Sequence, residues 1–456
     1  MLTARLCPVF VVTAMLAPLL CHADATASPF ADGDVVGLIG DSITHGRKWH
    51  RDLYSYYLTR FPERHVRFVN LGIAGDSAGG ALGRLGWDIL PNGLNKAVIF
   101  LGMNDVGRGY YAPNPTEQML AGQKTALANY RNNMDQLSQK LLAAGVKGLI
   151  YCTPSPFDDT GDLGPNFPGV NGALAQCGQY GRELAATYGG GVVDLNGPMT
   201  AINLEHQKTD PKFTIIGPDR VHPGDVGMMI IAYLFLKAQG MPALVSRVAI
   251  NANGVREAIN AEVAGLKQTP EGLEFDCREN ALPWPIEASA KQALELVPLE
   301  AELDQEQLAA AVAPGTYRLL IDGQEVGQYT AEALGAGINL AFNDKTPQYQ
   351  QAVQACQAAD QRANLEVRLR THAQMRTVLM GKHVDENDPA AVDACFADFM
   401  ARVGESMRPY FTGQINVYRQ VQGSRDDIRR QMDELQQKAW QLNPPTAHHL
   451  ALVRVP

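Results

Sequence analysis

The sequence predicts an α/β fold, with a parallel sheet and crossover helices in the N-terminal half followed by a strand-rich and then a helical extension. From Asp34 to about Ala249, short apolar runs alternate with amphipathic stretches, the pattern of repeated strand–helix–strand units. Several of these runs are continuously apolar, as expected of strands covered on both faces. Beyond residue 250 the character changes, first toward short strands and then toward a composition rich in Ala, Gln, Glu and Arg.

The runs predict strands over 35–40, 66–71, 96–101, 147–152 and 191–194. Helix-spaced apolar residues predict helices over 49–61, 125–144, 172–188 and 226–239. Residues 250–271 read as helical and linker-like. Between 273 and 343 short strands are expected, with a hairpin turn at Asp322-Gly323. From 346 to about 441 few strand formers occur, so long helices are expected, as a hairpin of two.

At 456 residues the chain is long enough for a catalytic unit and one or two appended ones. The expected division is a leader at 1–25, a catalytic domain at 30–249, a linker and small strand-rich domain at 250–345, and a helical region at 346–456. The leader reading rests on Arg5, an apolar run from Leu6 to Leu20, and the small-x-small sequence Ala23-Asp24-Ala25; it implies export to the periplasm or medium. Acylation at Cys21 is the competing reading, disfavoured by Leu20 ahead of it.

A net charge of -9 without a long Lys/Arg cluster gives no footprint for nucleic acid. No stretch after the leader approaches the roughly 18 apolar residues of a membrane span. Of seven cysteines, five follow the leader, so one thiol at least is unpaired or links chains. Cys152 with Cys177, or Cys356 with Cys395, could pair in an oxidising compartment. No Cys/His spacing fits zinc, and neither metal nor cofactor is expected.

Four segments carry chemistry. The first is Gly40-Asp41-Ser42-Ile43-Thr44, where an apolar strand stops and a polar turn begins, the end of a parallel sheet at which ligands bind. A serine hydroxyl there needs a base to become a nucleophile; alone, Ser42 is as readily an N-cap. The second is Asp219-Arg220-Val221-His222-Pro223. An Asp three residues before a His can orient the imidazole and stabilise its cation, although alone the pair more often braces a loop.

The other two segments each follow a predicted strand: Asn70-Leu71-Gly72-Ile73-Ala74-Gly75-Asp76-Ser77 and Gly102-Met103-Asn104-Asp105. Gly75 can offer a backbone N–H with no side chain in the way, and Asn104 can offer its amide, the donors that a developing oxyanion requires. Singly, each is a turn former.

Together, and in this order, the four segments resemble the conserved blocks of the SGNH (GDSL-type) hydrolases over about residues 34–240. The resemblance implies a three-layer α/β/α flavodoxin-like sandwich around a five-stranded parallel sheet. It also implies Ser42 as nucleophile, His222 as general base with Asp219 behind it, and an oxyanion hole of the Ser42 and Gly75 N–H groups with the Asn104 side chain. The implied reaction is hydrolysis of a carboxylic ester, small or polymeric, through an acyl-enzyme.

The substrate is less constrained. His45, Arg47, Trp49 and His50 follow Ser42, and Tyr110, Tyr111 and Asn114 follow Asn104, which predicts a polar and aromatic rim with His45, Trp49 and Tyr110 against the substrate. Such a rim suits sugars, and with export it favours a short-chain, acetyl ester of a carbohydrate. A lysophospholipase or thioesterase-like activity is the alternative, requiring an apolar groove that no loop in the sequence advertises. Two further readings stay open: transfer to a sugar hydroxyl instead of water, and a scaffold or carbohydrate-binding role for residues 273–445.

Overall fold

The computed structural model describes residues 26–456. The leader reading at 1–25 lies outside the described residues.

Five strands, β1 (Val35–Gly40), β2 (Arg67–Gly72), β3 (Lys96–Phe100), β4 (Gly148–Cys152) and β5 (Gly191–Val193), form one sheet in the order β2-β1-β3-β4-β5. Every pairing in it is parallel. Helices α1 (Ser42–His45), α2 (Lys48–Arg60), α3 (Ala78–Gly83), α4 (Glu117–Ala143), α5 (Val170–Tyr188), α6 (Asn196–Gln207) and α7 (Asp225–Ala238) cover the sheet. The expected three-layer sandwich is therefore present. One face of β1 turns Val36 and Leu38 toward α2 and α7, while the other turns Ile39 into a core shared with α4 and α5. Continuous apolar strands arise because both faces are dry.

The element ends differ from expectation for local reasons. Helix α4 starts at Glu117, earlier than the apolar spacing suggests, because the Thr116 hydroxyl accepts the Met119 N–H and caps it there. Residues 250–271 are strands rather than helix, β7 (Gly254–Ile259) and β8 (Ala261–Thr269). Their Ala and Glu content reads as helical, yet Asn253-Gly254 is a hairpin turn signal, and Asn260 takes a left-handed φ of 53° at the next corner.

Two further sheets follow. In the first, β6 (Leu244–Asn251) lies between β7 and β10 (Gln305–Ala310), with β13 (Ile338–Asn339) outside β10. In the second the order is β12-β11-β14-β9-β8, built from β8, β9 (Gly272–Glu279), β11 (Thr316–Ile321), β12 (Gln324–Thr330) and β14 (Ala447–Arg454). The central strand β14 is the last of the chain. Residues 447–454 thus belong to the strand-rich unit and not to the helical one, and the helices between β13 and β14 are an insertion. Four long helices build it: Pro347–Met380, Pro389–Arg402, Arg408–Gln422 and Arg425–Leu442.

The insertion folds back onto the parallel sheet. Ala355, Ala358, Ala359 and Ala439 join the same apolar core as Leu53, Tyr54 and Tyr57 of α2. Cys152, Cys177, Cys277, Cys356 and Cys395 are all unpaired thiols. No helix among the described residues is long and apolar enough to cross a membrane.

Candidate active site

Strand β1 ends at Gly40, and Asp41 caps the four-residue helix α1 by accepting the Ile43 N–H at 2.9 Å. Ser42 is the first residue of that helix, so its N–H has no intrahelical partner. Its hydroxyl lies 2.8 Å from Nε2 of His222. On the far side of the ring, Nδ1 lies 2.5 Å from Oδ2 of Asp219. The other carboxylate oxygen of Asp219 accepts the backbone N–H of Val221 at 3.0 Å and of His222 at 2.9 Å. Burial pushes the Asp219 carboxyl up, but these hydrogen bonds outweigh it and hold the group below its usual range. It therefore stays an anion that fixes the Nδ1–H tautomer, leaving Nε2 as acceptor for the serine proton.

The sequence between these two residues is itself an anchor. Arg220 takes a left-handed φ of 63° and is buried, and its guanidinium donates to the carbonyls of Asp158, Gly161, Leu163, Gly164 and Pro165. Those five acceptors clamp the loop that carries Asp219 and His222 to the loop after β4. Sequence reading missed this role; the residue between the pair was the available signal.

The loop after β2 turns at Ile73–Asp76, where Asp76 N–H donates to Ile73 O at 3.0 Å and Gly75 has φ 84°. That φ is the one required at the third residue of a type II turn, which glycine supplies without strain. A side chain on Gly75 would meet nothing nearby, so this face of the turn is open. Gly72 is the opposite case, because any side chain there would collide with the backbone of Thr44 and His45. The Asn104 amide donates to Asp76 O at 2.8 Å, leaving its second hydrogen available. Asp105 accepts the Ala78 N–H at 2.9 Å and so fixes the start of α3. Burial pushes Asp41 up to about 6 and Asp105 up to about 7, with the neighbouring Asp76 carboxylate adding to both.

Ser42, His222 and Asp219 thus form one hydrogen-bonded chain, with Ser42 just after β1 and the Asp219–His222 loop between α6 and α7, while Asn104, from the loop after β3, meets the turn that carries Gly75 through Asp76 O. Two of the three residues expected against the substrate, His45 and Trp49, are buried instead. His45 is buried: its Nδ1 accepts the Ala74 N–H at 3.1 Å, and its Nε2 faces the Thr371 hydroxyl at 3.4 Å. Burial, with Arg370 and Arg84 nearby, lowers its pKa to about 4, consistent with a neutral ring. Trp49 is 0% exposed, edge-on to Phe100 at 5.9 Å. Arg47 explains the second departure, since its left-handed φ of 64° breaks the chain between α1 and α2 and turns α2 into the core. Tyr110 is exposed on a 3-10 turn after Asn104.

A different pocket borders the site. It measures about 700 Å³ and is lined by Gly75, Trp87, Met375, Val378, Phe399 and Phe411 among others, so the helical insertion supplies most of its apolar wall. Among the described residues no group of His, Cys, Asp and Glu could hold a metal ion.

His50 gives a test of this buried polar layer. Its Nε2 lies 3.1 Å from Thr44 O, and burial lowers its pKa to about 3. The unfolded residue titrates near ~6.5, so its neutral-state contribution is complete above that pH and is lost as pH falls toward the folded value. Urea unfolding of wild type and His50→Gln, which retains a donor, should show wild type ahead at pH 7. The gap should close by up to about 1.4 kcal/mol per pH unit below pH 6. A constant gap would mean that this imidazole is not desolvated.

The sequence profile of the GDSL-like lipase/acylhydrolase family matches residues 38–230. An acetylxylan esterase of Geobacillus stearothermophilus is 27% identical over 187 residues, covering 41% of this chain and 78% of that protein. A solved structure of a gut microbial diltiazem-metabolizing enzyme is 31% identical with a TM-score of 0.87, covering 94% of this chain and 100% of that one. The second likeness runs through the accessory sheets and the helical insertion as well as the parallel sheet. Residues 38–230 are a GDSL-like lipase/acylhydrolase domain, and the chain is an ester-hydrolysing serine hydrolase.

Proposed function

We propose that Ser42 attacks the ester carbonyl while His222 Nε2 takes its proton, and that His222 then protonates the leaving alcohol. Asp219 holds the imidazole and stabilises its cation. The Ser42 and Gly75 N–H groups and the free amide hydrogen of Asn104 receive the negative charge that develops on the carbonyl oxygen. Water then resolves the acyl-enzyme by the same proton path. The single observation behind this assignment is the unbroken Ser42–His222–Asp219 chain, at 2.8 Å and 2.5 Å.

The natural ester we propose is a short-chain, acetyl ester of a carbohydrate, met outside the cytoplasm after export. Support for the acyl group comes from the acetylxylan esterase relative. Support for export comes from the leader pattern at 1–25. A second reading has an observation of its own: the 700 Å³ apolar pocket beside Gly75 would suit a longer or aromatic acyl group.

A series of p-nitrophenyl esters from acetate to decanoate, run beside acetylated xylo-oligosaccharides, separates them. The first reading expects kcat/KM to fall at least tenfold between acetate and octanoate, and acetate to be released from the oligosaccharide. A maximum at octanoate or beyond would replace it with the second.

A further inference from the structure

Strand β2 is an edge of the parallel sheet, with β1 on one side. Its free edge should present unpaired backbone groups to solvent. Instead the helix Pro347–Met380 runs along it. Arg362 Nη2 donates to Phe68 O at 3.1 Å, and Asn70 N–H donates to Glu366 Oε1 at 3.1 Å. Arg370 Nε donates to Gly72 O at 3.2 Å, and Gln374 Nε2 donates to Ala74 O at 3.2 Å. The helix residues step by four and the strand residues by two. Those steps advance about 6.0 Å on a helix and about 6.6 Å on a strand, so the two rows stay in register. All four helix side chains are buried, where each serves a main-chain group that would otherwise be stranded.

The last rung lands at the site. Ala74 C=O and Gly75 N–H belong to one peptide plane, the central peptide of the turn at Ile73–Asp76. In a trans peptide these two groups point in opposite directions. Gln374 holds the carbonyl toward the insertion, which directs the Gly75 N–H to the other side. Flipping this plane converts a type II turn into a type I turn and reverses the N–H. His45 accepts the preceding Ala74 N–H at 3.1 Å, so two of the turn's three peptides are gripped from outside it. A hydrogen bond to the carbonyl also polarises the N–H of the same unit.

We infer that the helical insertion is a splint for the oxyanion turn, and that Gln374 is a positioning residue that locks the Ala74–Gly75 peptide with its N–H toward Ser42. The inference rests on the reading of the Gly75 N–H as an oxyanion donor. Its reach is catalytic as well as structural. A donor that is already oriented needs no reorganisation when charge develops on the substrate. Besides Ala74 O, the Gln374 amide meets the Tyr410 hydroxyl, at 3.3 Å from its nitrogen and 3.4 Å from its oxygen, and it lines the apolar pocket beside Gly75.

The test uses the full-length chain and two substitutions. Gln374→Met keeps the length and removes the donor; Gln374→Lys restores a donor at similar reach. Each is measured for kcat and KM on p-nitrophenyl acetate, for affinity toward a trifluoromethyl ketone, and for melting temperature. The ketone adds the Ser42 oxygen to its carbonyl carbon, the carbonyl electron pair becomes an oxyanion, and the serine proton passes to His222. Gln374→Met is expected to lower kcat about tenfold with KM within twofold, and to weaken the ketone by the same factor. That is part of the hundredfold or more that a lost donor costs.

Gln374→Lys should recover most of both. Wild-type kcat and ketone affinity in Gln374→Met would overturn the proposal, as would a loss that Gln374→Lys leaves unrescued or that tracks only the folded fraction. Ser42→Ala run alongside keeps the two readings apart. If it retains turnover, the site assignment fails; if it is inactive while Gln374→Met behaves as wild type, only the splint fails.

Discussion

Ser42→Ala is expected to remove p-nitrophenyl acetate turnover almost completely, by roughly a millionfold in kcat, the scale seen when a triad nucleophile is deleted. The fold should be indifferent to the change. Ser42 opens a short helix whose cap is the Asp41 carboxylate, and alanine is a good helix residue. His222→Ala should cost nearly as much, because nucleophile and base act as one unit and their losses do not add. Asp219→Asn should be milder, about ten-thousandfold, since the base remains and only its tautomer and orientation suffer. Turnover of purified variants, with circular dichroism melts to confirm folding, reads all three. Wild-type turnover in Ser42→Ala would reject the assignment outright, whereas equal losses in Asp219→Asn and His222→Ala would reassign Asp219 from orientation to the proton transfer itself.

The parallel sheet and the Ser42–His222–Asp219 chain were legible because each signal is local. An apolar run buried on both faces ends where the strand ends, and a polar segment placed there has to lie on the catalytic edge of the sheet. Side-chain direction was not legible. His45 and Trp49 stand close to Ser42 in sequence, yet a single left-handed residue, Arg47, turns the following helix inward and buries Trp49. Proximity along the chain gave the neighbourhood and not the orientation.

The insertion was hidden for a different reason. Arg362, Glu366, Arg370 and Gln374 recur every four residues, which on any helix reads as a solvated face. Their partners are main-chain atoms of β2 and of the turn after it, nearly three hundred residues away. Backbone acceptors leave no trace in the sequence that uses them. The apolar pocket escaped similarly, because Trp87, Met375, Val378, Phe399 and Phe411 come from separate segments and none forms an apolar loop. Strand β14 was missed through its isolation at the end of a helical region, eight residues whose partners lie far upstream.

Replacing Arg370 by methionine is expected to be the most destabilising of these substitutions, by about 3 kcal/mol and up to 5. Its guanidinium grips both oxygens of Asp88, at 2.8 Å and 2.7 Å, while its Nε serves Gly72 O. All three partners are buried, so removing Arg370 strands a carboxylate and a carbonyl rather than merely deleting a contact. Arg84 stays on Asp88 Oδ2 at 2.6 Å, which places the expected loss toward the lower end of that range. Arg370→Lys keeps the charge but loses the fork, and should fall between wild type and methionine.

The pH dependence follows from Asp88. Burial works to raise its carboxyl, but Arg370 and then Arg84 overcome it and hold the pKa down to about 2. An unfolded aspartate titrates near ~3.9, so this pair contributes stability above that pH and loses it as the pH falls toward 2. The wild-type advantage over Arg370→Met, measured by urea unfolding, should therefore be full at pH 7 and shrink between pH 4 and pH 2. Adding Asp88→Asn to Arg370→Met should recover part of the loss at pH 7, since the buried uncompensated charge disappears. A loss below 1 kcal/mol at neutral pH would mean that water reaches Asp88 beneath the helix, and the edge of β2 would then be held by packing instead of by the polar ladder.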